Sequence, residues 1–275
     1  MTATRFAPSP TGPLHLGHAW AAMVASDLGA MRLRLEDIDR ERSKPEWEAA
    51  ILSDLEWLGL AWTPPVMRQS DRQAAYDDAL DRLWADGLLY PCACTRRDVL
   101  AAASAPQEGA PLHGPDGVVY PGTCRGRSRR GPRPRGDALR LDARAVDAPL
   151  AWTDDRLGPG RMDAETFART VGDVVVARRG WGTSYHLAVV VDDAAQRIGL
   201  VTRGEDLAEA TPIHVALQRL LGLPVPHYHH HDLVRDAEGK RLAKRDDARS
   251  LASYRDAGWD PAALTVGLRA SRTGW

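Results

Sequence analysis

The first eighteen residues constrain the fold of this chain more than any other segment. Residues 5–18 read as a short strand followed by a Pro/Gly-rich turn, and residues 19–28 are a mostly apolar run. His15 and His18 therefore lie where a helix is predicted to begin. A helix start presents unpaired backbone N–H groups and the positive end of the helix dipole, so it suits a phosphate group.

A second informative segment is the basic loop at residues 239–245, Gly-Lys-Arg-Leu-Ala-Lys-Arg. The chain contains only three lysines, Lys44, Lys240 and Lys244, and two of them are in this loop. An ammonium group is a compact, mobile point charge that a guanidinium does not replace. We expect the loop and the helix start to hold a triphosphate from two sides, although chance in an arginine-rich composition also explains the lysine positions.

Both segments resemble motifs of the class I aminoacyl-tRNA synthetases. His-Leu-Gly-His at residues 15–18 matches the HIGH motif, and residues 241–245 match the KMSKS motif. The lead-in Arg-Phe-Ala-Pro-Ser-Pro-Thr-Gly at residues 5–12 is similar to the glutamyl/glutaminyl branch, as is Arg-Leu-Glu-Asp-Ile-Asp at residues 34–39. The resemblance extends from residue 5 to about residue 251.

This resemblance implies ATP-dependent activation of L-glutamate, with Mg²⁺ accompanying the ATP. Its ATP-binding residues correspond to His15, Gly17, His18 and Lys244. Negative charge spreads over the phosphoryl oxygens during in-line displacement, so His15, His18 and Lys244 are predicted to be the catalytic groups that stabilise it. The loop at residues 241–245 departs from KMSKS because it keeps the second lysine and loses the hydroxyl.

The resemblance also implies a glutamate pocket. Its residues correspond to Arg5, Phe6, Ala7, Pro8, Ser9, Glu36, Tyr185 and Arg203. Glutamate requires a cation for its side-chain carboxylate, which Arg5 or Arg203 supplies, and a carboxylate for its ammonium group, which Glu36 supplies. His186 stands where relatives commonly carry asparagine, so the pocket is expected to differ from theirs.

A simpler interpretation of the acidic segment stays open. Residues 36–39 also fit a solvated acidic turn that pairs with the neighbouring arginines Arg32, Arg34 and Arg40. Similarly, His15 and His18 taken alone fit a pair of histidines that cap a helix.

Three cysteines and a tyrosine form a candidate metal site. Cys92 and Cys94 form a Cys-x-Cys turn, and Cys124 would add a third thiolate to a tetrahedral zinc site. Spacing alone leaves His113 as the usual fourth ligand, whereas resemblance to short bacterial glutamyl-type enzymes implies Tyr120. Such a Zn²⁺ would be structural. Three buried, unpaired cysteines are the alternative, and three cysteines cannot all form disulfides, which favours a reducing cytoplasm.

We predict an α/β fold, with a Rossmann-type parallel-sheet catalytic domain that is split by a zinc-bearing insertion. The first half of the catalytic domain covers residues 1–90, and the insertion, with the zinc site and an acceptor-type subdomain, covers residues 91–170. Residues 171–235 form the second half. Residues 236–275 contain the KMSKS-like loop and a short helical stem, without an anticodon-binding domain.

Local patterns predict individual elements within this plan. A capping box at Ser43, with proline at the first helical position, starts a helix that Gly59 ends. The uninterrupted apolar run at residues 187–192 is typical of a central parallel strand. Further helices are predicted over 72–86, over 211–221 and from residue 250, and further strands over 138–141, 173–176 and 228–235.

Charge and composition limit the remaining functions. The chain has 275 residues and a net charge of −1, so any RNA contact must use local patches. One candidate patch is the arginine run Arg125, Arg127, Arg129, Arg130, Arg133 and Arg135, which equally fits a solvated loop. Three adjacent histidines at residues 229–231 favour a strand over a metal site, because consecutive strand residues point to opposite faces. No apolar run is long enough to span a membrane.

The length selects one group within the family. About 30 residues follow Arg245, too few for an anticodon-reading domain. The chain therefore resembles the short glutamyl-queuosine tRNA(Asp) synthetases, which implies transfer of activated glutamate to queuosine in the anticodon loop of tRNA(Asp), by a protein expected to be a monomer. Conventional charging of a tRNA 3′ end, a non-catalytic tRNA-binding or amino-acid-sensing paralogue and, more distantly, a small-metabolite nucleotidyltransferase are the alternatives.

Overall fold

A computed structural model describes residues 1–103, 112–236, 239 and 249–271. Lys240, Lys244 and the rest of the KMSKS-like loop lie outside the described residues. The strands are β1 Ala3–Phe6, β2 Ala30–Leu35, β3 Thr63–Arg68, β4 Leu89–Cys92, β5 His113–Gly114, β6 Gly117–Val118, β7 Ala138–Leu141, β8 Leu150–Asp154, β9 Gly158–Met162, β10 Val175–Ala177, β11 Leu200–Gly204 and β12 His227–His231. The α-helices are α1 Leu16–Leu28, α2 Pro45–Trp57, α3 Gln73–Ala85, α4 Arg96–Ala103, α5 Ala164–Thr166, α6 Tyr185–Ala195, α7 Thr211–Leu220, α8 Leu251–Asp256 and α9 Pro261–Ala270.

Parallel strands form the centre of the molecule. β1 pairs with β2 and β2 with β3, while β11 pairs with β12, all in parallel. β11 also lies beside β1, where the Gly199 N–H donates to the Ala3 carbonyl over 3.0 Å. The order across the molecule is thus β3-β2-β1 and then β11-β12-β8-β9. From β1 the next strands along the chain, β2 and β3, lie on one side, whereas β11 and β12 lie on the other. In sheets of this kind, ligands bind beyond the carboxyl ends of the strands at this switch point in strand order.

Along the chain, a smaller antiparallel sheet lies between β3 and β11. β7 lies between β4 and β10 and pairs with both. The predicted strand at 138–141 is confirmed with the same bounds, and the strand predicted over 173–176 is present as β10, in this antiparallel sheet. The β5–β6 hairpin lies in the same inserted segment.

The prediction of a central strand at residues 187–192 is wrong, because these residues belong to α6. Most of this helix is buried, so it carries no polar face that would reveal a helical period. A short continuous apolar run does not distinguish a buried helix from a buried strand. The helix is started by Ser184, whose hydroxyl accepts a hydrogen bond from the Leu187 N–H over 3.4 Å.

The predicted capping box at Ser43 is also wrong, although the helix begins at Pro45 as expected. Lys44 occupies the cap position and its side chain makes no capping hydrogen bond. Backbone contacts instead hold the chain before the helix, since the Lys44 N–H donates to the Pro10 carbonyl over 3.1 Å. The other predicted helices, at 72–86, 211–221 and from residue 250, are present as α3, α7, α8 and α9. Within the described ranges, no helix is both long and apolar enough to cross a membrane.

Candidate active site and metal centre

One cavity of about 510 Å³ opens at the carboxyl ends of β1 and β11. It occupies the switch point between the two groups of parallel strands. Every described residue that the sequence assigned to glutamate or ATP lines it. These residues are Arg5, Phe6, Ala7, Pro8, Ser9, His15, Gly17, His18, Glu36, Tyr185 and Arg203.

His15 and His18 cap the start of α1 reciprocally. The Gly17 N–H donates to His15 Nδ1 over 3.1 Å, and the His15 N–H donates to His18 Nδ1 over 3.1 Å. A neutral imidazole whose Nδ1 accepts carries its proton on Nε2. Capping therefore fixes the tautomer of both histidines and leaves each Nε2–H as a donor. The two histidines can cap the helix and bind a phosphate group at the same time.

Arg203 is a buried cation that forms no direct ion pair among the described residues, although Asp193 attracts it from a greater distance. Its side chain donates to His230 Nε2 over 2.9 Å, to His214 Nδ1 over 2.8 Å and to the Thr211 hydroxyl over 2.8 Å. Among the described residues, no carboxylate lies within ion-pair distance of its guanidinium, and burial lowers the pKa of Arg203. A buried charge without a direct ion-pair partner is costly, which marks this guanidinium as a candidate site for an anion.

Arg5 is neutralised within the protein, in contrast to Arg203. Asp193 accepts from Arg5 Nε over 3.2 Å and from Arg34 Nη1 over 2.7 Å. Burial alone would raise the pKa of Asp193, but the attraction of Arg34 and Arg5 outweighs it and lowers that pKa. No sequence motif marks Asp193, whose position beside Arg5 and Arg34 is set by the tertiary structure.

Glu36 lies at the edge of the same buried charge network. Arg34 Nη2 lies 3.4 Å from Glu36 Oε1, so the pairing proposed for a solvated acidic turn does form, but in a buried setting. Burial raises the pKa of Glu36, although Arg34 and Arg5 partly offset the effect. The neighbouring Asp37 and Asp39 instead support local structure, through the Ser70 N–H and Arg42 respectively.

The described residues on both sides of the KMSKS-like loop contact the helix start. Before the loop, the Asp232 carbonyl accepts from Trp20 Nε1 over 3.1 Å. After the loop, the Leu251 N–H donates to the Leu14 carbonyl over 2.8 Å, and Ser250 forms a β-bridge with His15. The residues that flank the loop, before and after it, thus lie against the start of α1, where the sequence predicted the other half of the ATP site.

The three cysteines and Tyr120 converge in the inserted segment. The Sγ atoms of Cys92, Cys94 and Cys124 all lie within 4.8 Å of one another, and no other group of this kind was found among the described residues. Tyr120 Oη lies 3.3 Å from Cys94 Sγ and 3.5 Å from Cys92 Sγ. His113, the alternative fourth ligand, is an exposed residue of β5 outside this group.

Arg140 adds positive charge beside the cysteine cluster. Its guanidinium lies 3.8 Å from the centre of the Tyr120 ring, and its Nε donates to Cys92 Sγ over 3.4 Å. A cation in this position stabilises thiolates, which are the form of cysteine that binds metal. The three cysteines could therefore hold a metal ion.

The strand predicted over 228–235 is present as β12, which ends at His231 and contains all three adjacent histidines. His230 faces Arg203, whereas His229 lies 3.9 Å from Asp155 on the other side. His231 lines the active-site cavity and meets the Trp20 ring edge-on at 6.3 Å between centroids.

Several arginines of the run at 125–135 are bound to carboxylates of this chain. Arg125 pairs with Asp173, Arg129 with Asp142, and the buried Arg133 with Asp77 and Asp81, to which Arg135 also lies close. Arg133 and Arg135 therefore fasten the inserted segment to α3, whereas the Arg129 pair lies within the segment itself. Whether the run also meets RNA stays a prediction.

Residues 1–275 match the protein-family model described as tRNA synthetases class I (E and Q), catalytic domain. The chain belongs to this family. The mixed α/β fold with a parallel sheet that the sequence predicted is confirmed at this level. A curated relative in Rhodobacter capsulatus, Glutamyl-Q tRNA(Asp) synthetase, is 61% identical over 272 residues, which cover 94% of this chain and 96% of that protein. The protein of that name in Geobacter sulfurreducens is 43% identical, over 92% of this chain and 78% of its own length.

Solved structures of longer family members share the fold. A glutamate-tRNA synthetase from Elizabethkingia anophelis superimposes with a TM-score of 0.76 at 26% sequence identity. A glutamate tRNA ligase from Elizabethkingia meningosepticum, solved in complex with its amino acid, gives a TM-score of 0.75 at 26% identity. This synthetase chain is covered to 96% in both comparisons, and it spans 60% and 59% of those chains.

Proposed function

We propose that this synthetase activates L-glutamate with ATP and transfers the glutamyl group to queuosine in the anticodon loop of tRNA(Asp). The observation that carries the proposal is that one cavity contains both the His15–His18 helix start and Arg203, a buried cation without a direct ion pair in the described part of the chain. The relatives named Glutamyl-Q tRNA(Asp) synthetase, 61% and 43% identical over more than nine-tenths of this chain, support the choice of acceptor.

Activation requires attack of the glutamate α-carboxylate on the α-phosphorus of ATP, with pyrophosphate leaving. His15 and His18 would donate from Nε2 to the phosphate oxygens, beside the N–H groups at the start of α1, where negative charge is favoured. Lys244 is the proposed cation from the opposite side, in the loop whose described flanks meet this helix start. Mg²⁺ bound with ATP supplies further neutralisation of the phosphates.

Glutamate would bind between Glu36 and Arg203. We assign the substrate ammonium group to Glu36 and the side-chain carboxylate to Arg203, since Arg5 already shares Asp193. Tyr185, the first residue of α6, lines the cavity beside both groups. The proposal thus favours Arg203 over Arg5, the two alternatives that the sequence offered.

A second cavity, of about 800 Å³, provides a route for the acceptor RNA. It adjoins the first one, because Tyr185 and Leu207 line both. It lies between the cysteine cluster and α6, and its arginines are Arg96, Arg140, Arg178 and Arg179. Guanidinium groups suit RNA phosphates and stack on bases. A hydroxyl that enters here would attack the glutamyl-adenylate carbonyl, with AMP as the leaving group.

We also propose that Cys92, Cys94, Tyr120 and Cys124 hold one structural Zn²⁺. Tetrahedral zinc with bonds of ~2.3 Å to sulfur and ~2.0 Å to oxygen requires edges of about 3.8 Å between sulfurs and about 3.5 Å between sulfur and oxygen. The observed distances of 3.6 Å between Cys94 and Cys124 Sγ and of 3.3 and 3.5 Å to Tyr120 Oη fit these edges. The ion would tie β4 to the segment that follows β6.

The decisive experiment compares tRNA(Asp) with and without queuosine as acceptor for radiolabelled glutamate. We expect label only on the queuosine-bearing tRNA, and nuclease digestion should recover it in the anticodon fragment. Label on the 3′ fragment would instead establish conventional charging. Glutamate-dependent ATP–pyrophosphate exchange tests the first step alone, and its absence would indicate a non-catalytic paralogue.

A further inference from the structure

Arg203 lies at the centre of a continuous chain of buried hydrogen bonds. On one side, His214 Nδ1 lies 2.8 Å from Arg203 Nη1, and His214 Nε2 lies 3.0 Å from His186 Nδ1. His186 Nε2 continues to Asp116 Oδ1, 3.1 Å away. On the other side, Arg203 Nε donates to His230 Nε2 over 2.9 Å, and His230 Nδ1 contacts Asp154 Oδ2.

The chemistry of the groups sets the direction of every bond in this chain. A guanidinium only donates, so His214 Nδ1 and His230 Nε2 must both accept, and both rings must be neutral. His214 therefore carries its proton on Nε2 and donates it to His186, which in turn donates from Nε2 to Asp116. His230 carries its proton on Nδ1 and donates to Asp154. Each terminal carboxylate thereby selects the tautomer that its histidine presents inward.

The environment favours these neutral forms. His214 and His230 are 3% and 1% exposed. Burial, reinforced by the neighbouring Arg203, holds the pKa of His214 well below its usual value. Burial and Arg203 also lower the pKa of His230 to about 4, against the opposing effect of Asp154.

Neutral hydrogen-bond partners can orient the Arg203 guanidinium without neutralising its positive charge. A carboxylate at the position of either ring would orient Arg203 equally well, but it would compete with an anionic ligand. Two imidazoles and the Thr211 hydroxyl take three of the five N–H groups of Arg203, so its hydrogen-bond partners do not neutralise its charge.

We propose that His214 and His230 are positioning residues that keep Arg203 oriented, without a direct ion pair, for the side-chain carboxylate of the substrate. His186 and Asp116 extend this support to the turn between β5 and β6 in the inserted segment. The inference rests on the proposed function, because it assigns the preference for glutamate over the uncharged glutamine to this set of residues.

The test is steady-state ATP–pyrophosphate exchange with glutamate, glutamine and ATP varied in turn. Exchange by the unmodified protein tests the proposed function, and the comparison of variants tests this inference. His214→Leu removes the acceptor for Arg203, so we expect the KM for glutamate to rise roughly ten- to hundredfold. The KM for ATP should stay within about twofold, and the preference for glutamate over glutamine should fall.

His214→Gln is the matched rescue variant, because its amide oxygen accepts from Arg203 and its amide nitrogen donates to His186. It should recover most of the glutamate preference. His227→Leu, an exposed histidine on β12, serves as the control that should change none of these constants. If His214→Leu does not fold, His186→Leu replaces it, since that change removes the acceptor of His214 and the donor to Asp116 but no direct partner of Arg203.

Equal increases in KM for glutamate and ATP, or failure of His214→Gln to restore the glutamate preference, would show a merely structural role. An unchanged glutamate-to-glutamine preference in folded His214→Leu or His186→Leu would also overturn the proposal.

Discussion

At Asp193, one buried carboxylate serves two buried guanidinium groups. Arg5 and Arg34 reach it from β1 and β2, and Asp193 itself comes from α6. This sharing explains why two arginines near the same cavity have different roles. Arg5 is committed to an internal acid, whereas Arg203 is surrounded by neutral acceptors and keeps its charge for a ligand.

Replacing Asp193 by asparagine should destabilise the protein strongly, because it leaves two buried cations without their common anion. We expect a loss of about 3–5 kcal/mol in the free energy of unfolding, measured by denaturant titration. The matched control is Asp27→Asn, which breaks the exposed pair with Arg269 and should cost less than ~1 kcal/mol. Equal losses for the two variants would contradict this account.

His230 should make stability depend on pH. Its pKa is about 4 in the folded protein, against an ordinary value of 6.5. Between these values the unfolded chain binds the additional proton, so the free energy of unfolding should fall as pH decreases from 6.5 to 4. At about 1.4 kcal/mol for each pKa unit, the full contribution is on the order of 3 kcal/mol.

Denaturant titrations at several pH values would measure this dependence. His230→Gln, which does not titrate, should give a flatter profile between pH 4 and 6.5 than the unmodified protein. The exposed His227→Gln should leave the profile unchanged. Parallel profiles for all three proteins would argue against a role for His230.

At the scale of elements, the connection from α1 to β2 has little room. The 13-residue helix α1 is followed by a single residue, Gly29, before β2 begins at Ala30. A Cβ atom at Gly29 would overlap the Thr2 carbonyl oxygen and lie 2.8 Å from Thr4 Cγ2. Glycine is therefore required here by close packing against β1, since the backbone itself is extended.

Gly29→Ala should consequently lower the melting temperature, with an estimated cost of about 1–3 kcal/mol from overpacking. Gly126→Ala is a suitable control, because a Cβ atom there meets nothing within 4 Å. Thermal unfolding followed by circular dichroism would separate the two. A melting temperature for Gly29→Ala equal to that of the control would show that β1 can shift to accommodate the methyl group without loss of stability.

The helix α6 illustrates how one element can serve both the core and the site. Its first residue, Tyr185, lines both cavities. Near its other end, Asp192 binds Gln69, Arg72 and Tyr76, while the adjacent Asp193 binds the arginines of the parallel sheet. Its valine-rich sequence is equally compatible with a strand, so local pattern alone led to the wrong element.

At the scale of the whole molecule, the cysteine region depends on few apolar contacts. Its buried apolar cluster consists of Tyr90, Cys92, Tyr120 and Cys124. Ion pairs such as that of Arg125 with Asp173 attach it to the rest of the chain. The central parallel strands instead pack into two much larger apolar clusters. A bound metal would thus stabilise the inserted segment more than the catalytic core.

Removal of zinc with a strong chelator should make residues 92–124 the first site of limited proteolysis. Metal analysis should find one zinc per chain before treatment, and Cys124→Ser should abolish it. We expect glutamate activation to survive chelation in part, because the cavity at the switch point is built by the parallel strands. Unchanged proteolysis after complete zinc loss would contradict a structural role.

The sequence by itself determined the β1–α1–β2 unit, which follows from local patterns over a few neighbouring residues. Resemblance to family motifs supplied the proposed glutamate and ATP residues and the cysteine–tyrosine set. The three boundaries between the four predicted segments stay predictions, and Lys244 lies outside the described residues. Only the tertiary structure decided that residues 187–192 are helical, that Asp193 neutralises Arg5, and that neutral histidines surround Arg203. Those outcomes depend on burial and on hydrogen bonds between residues distant in the chain, and no local pattern encodes them.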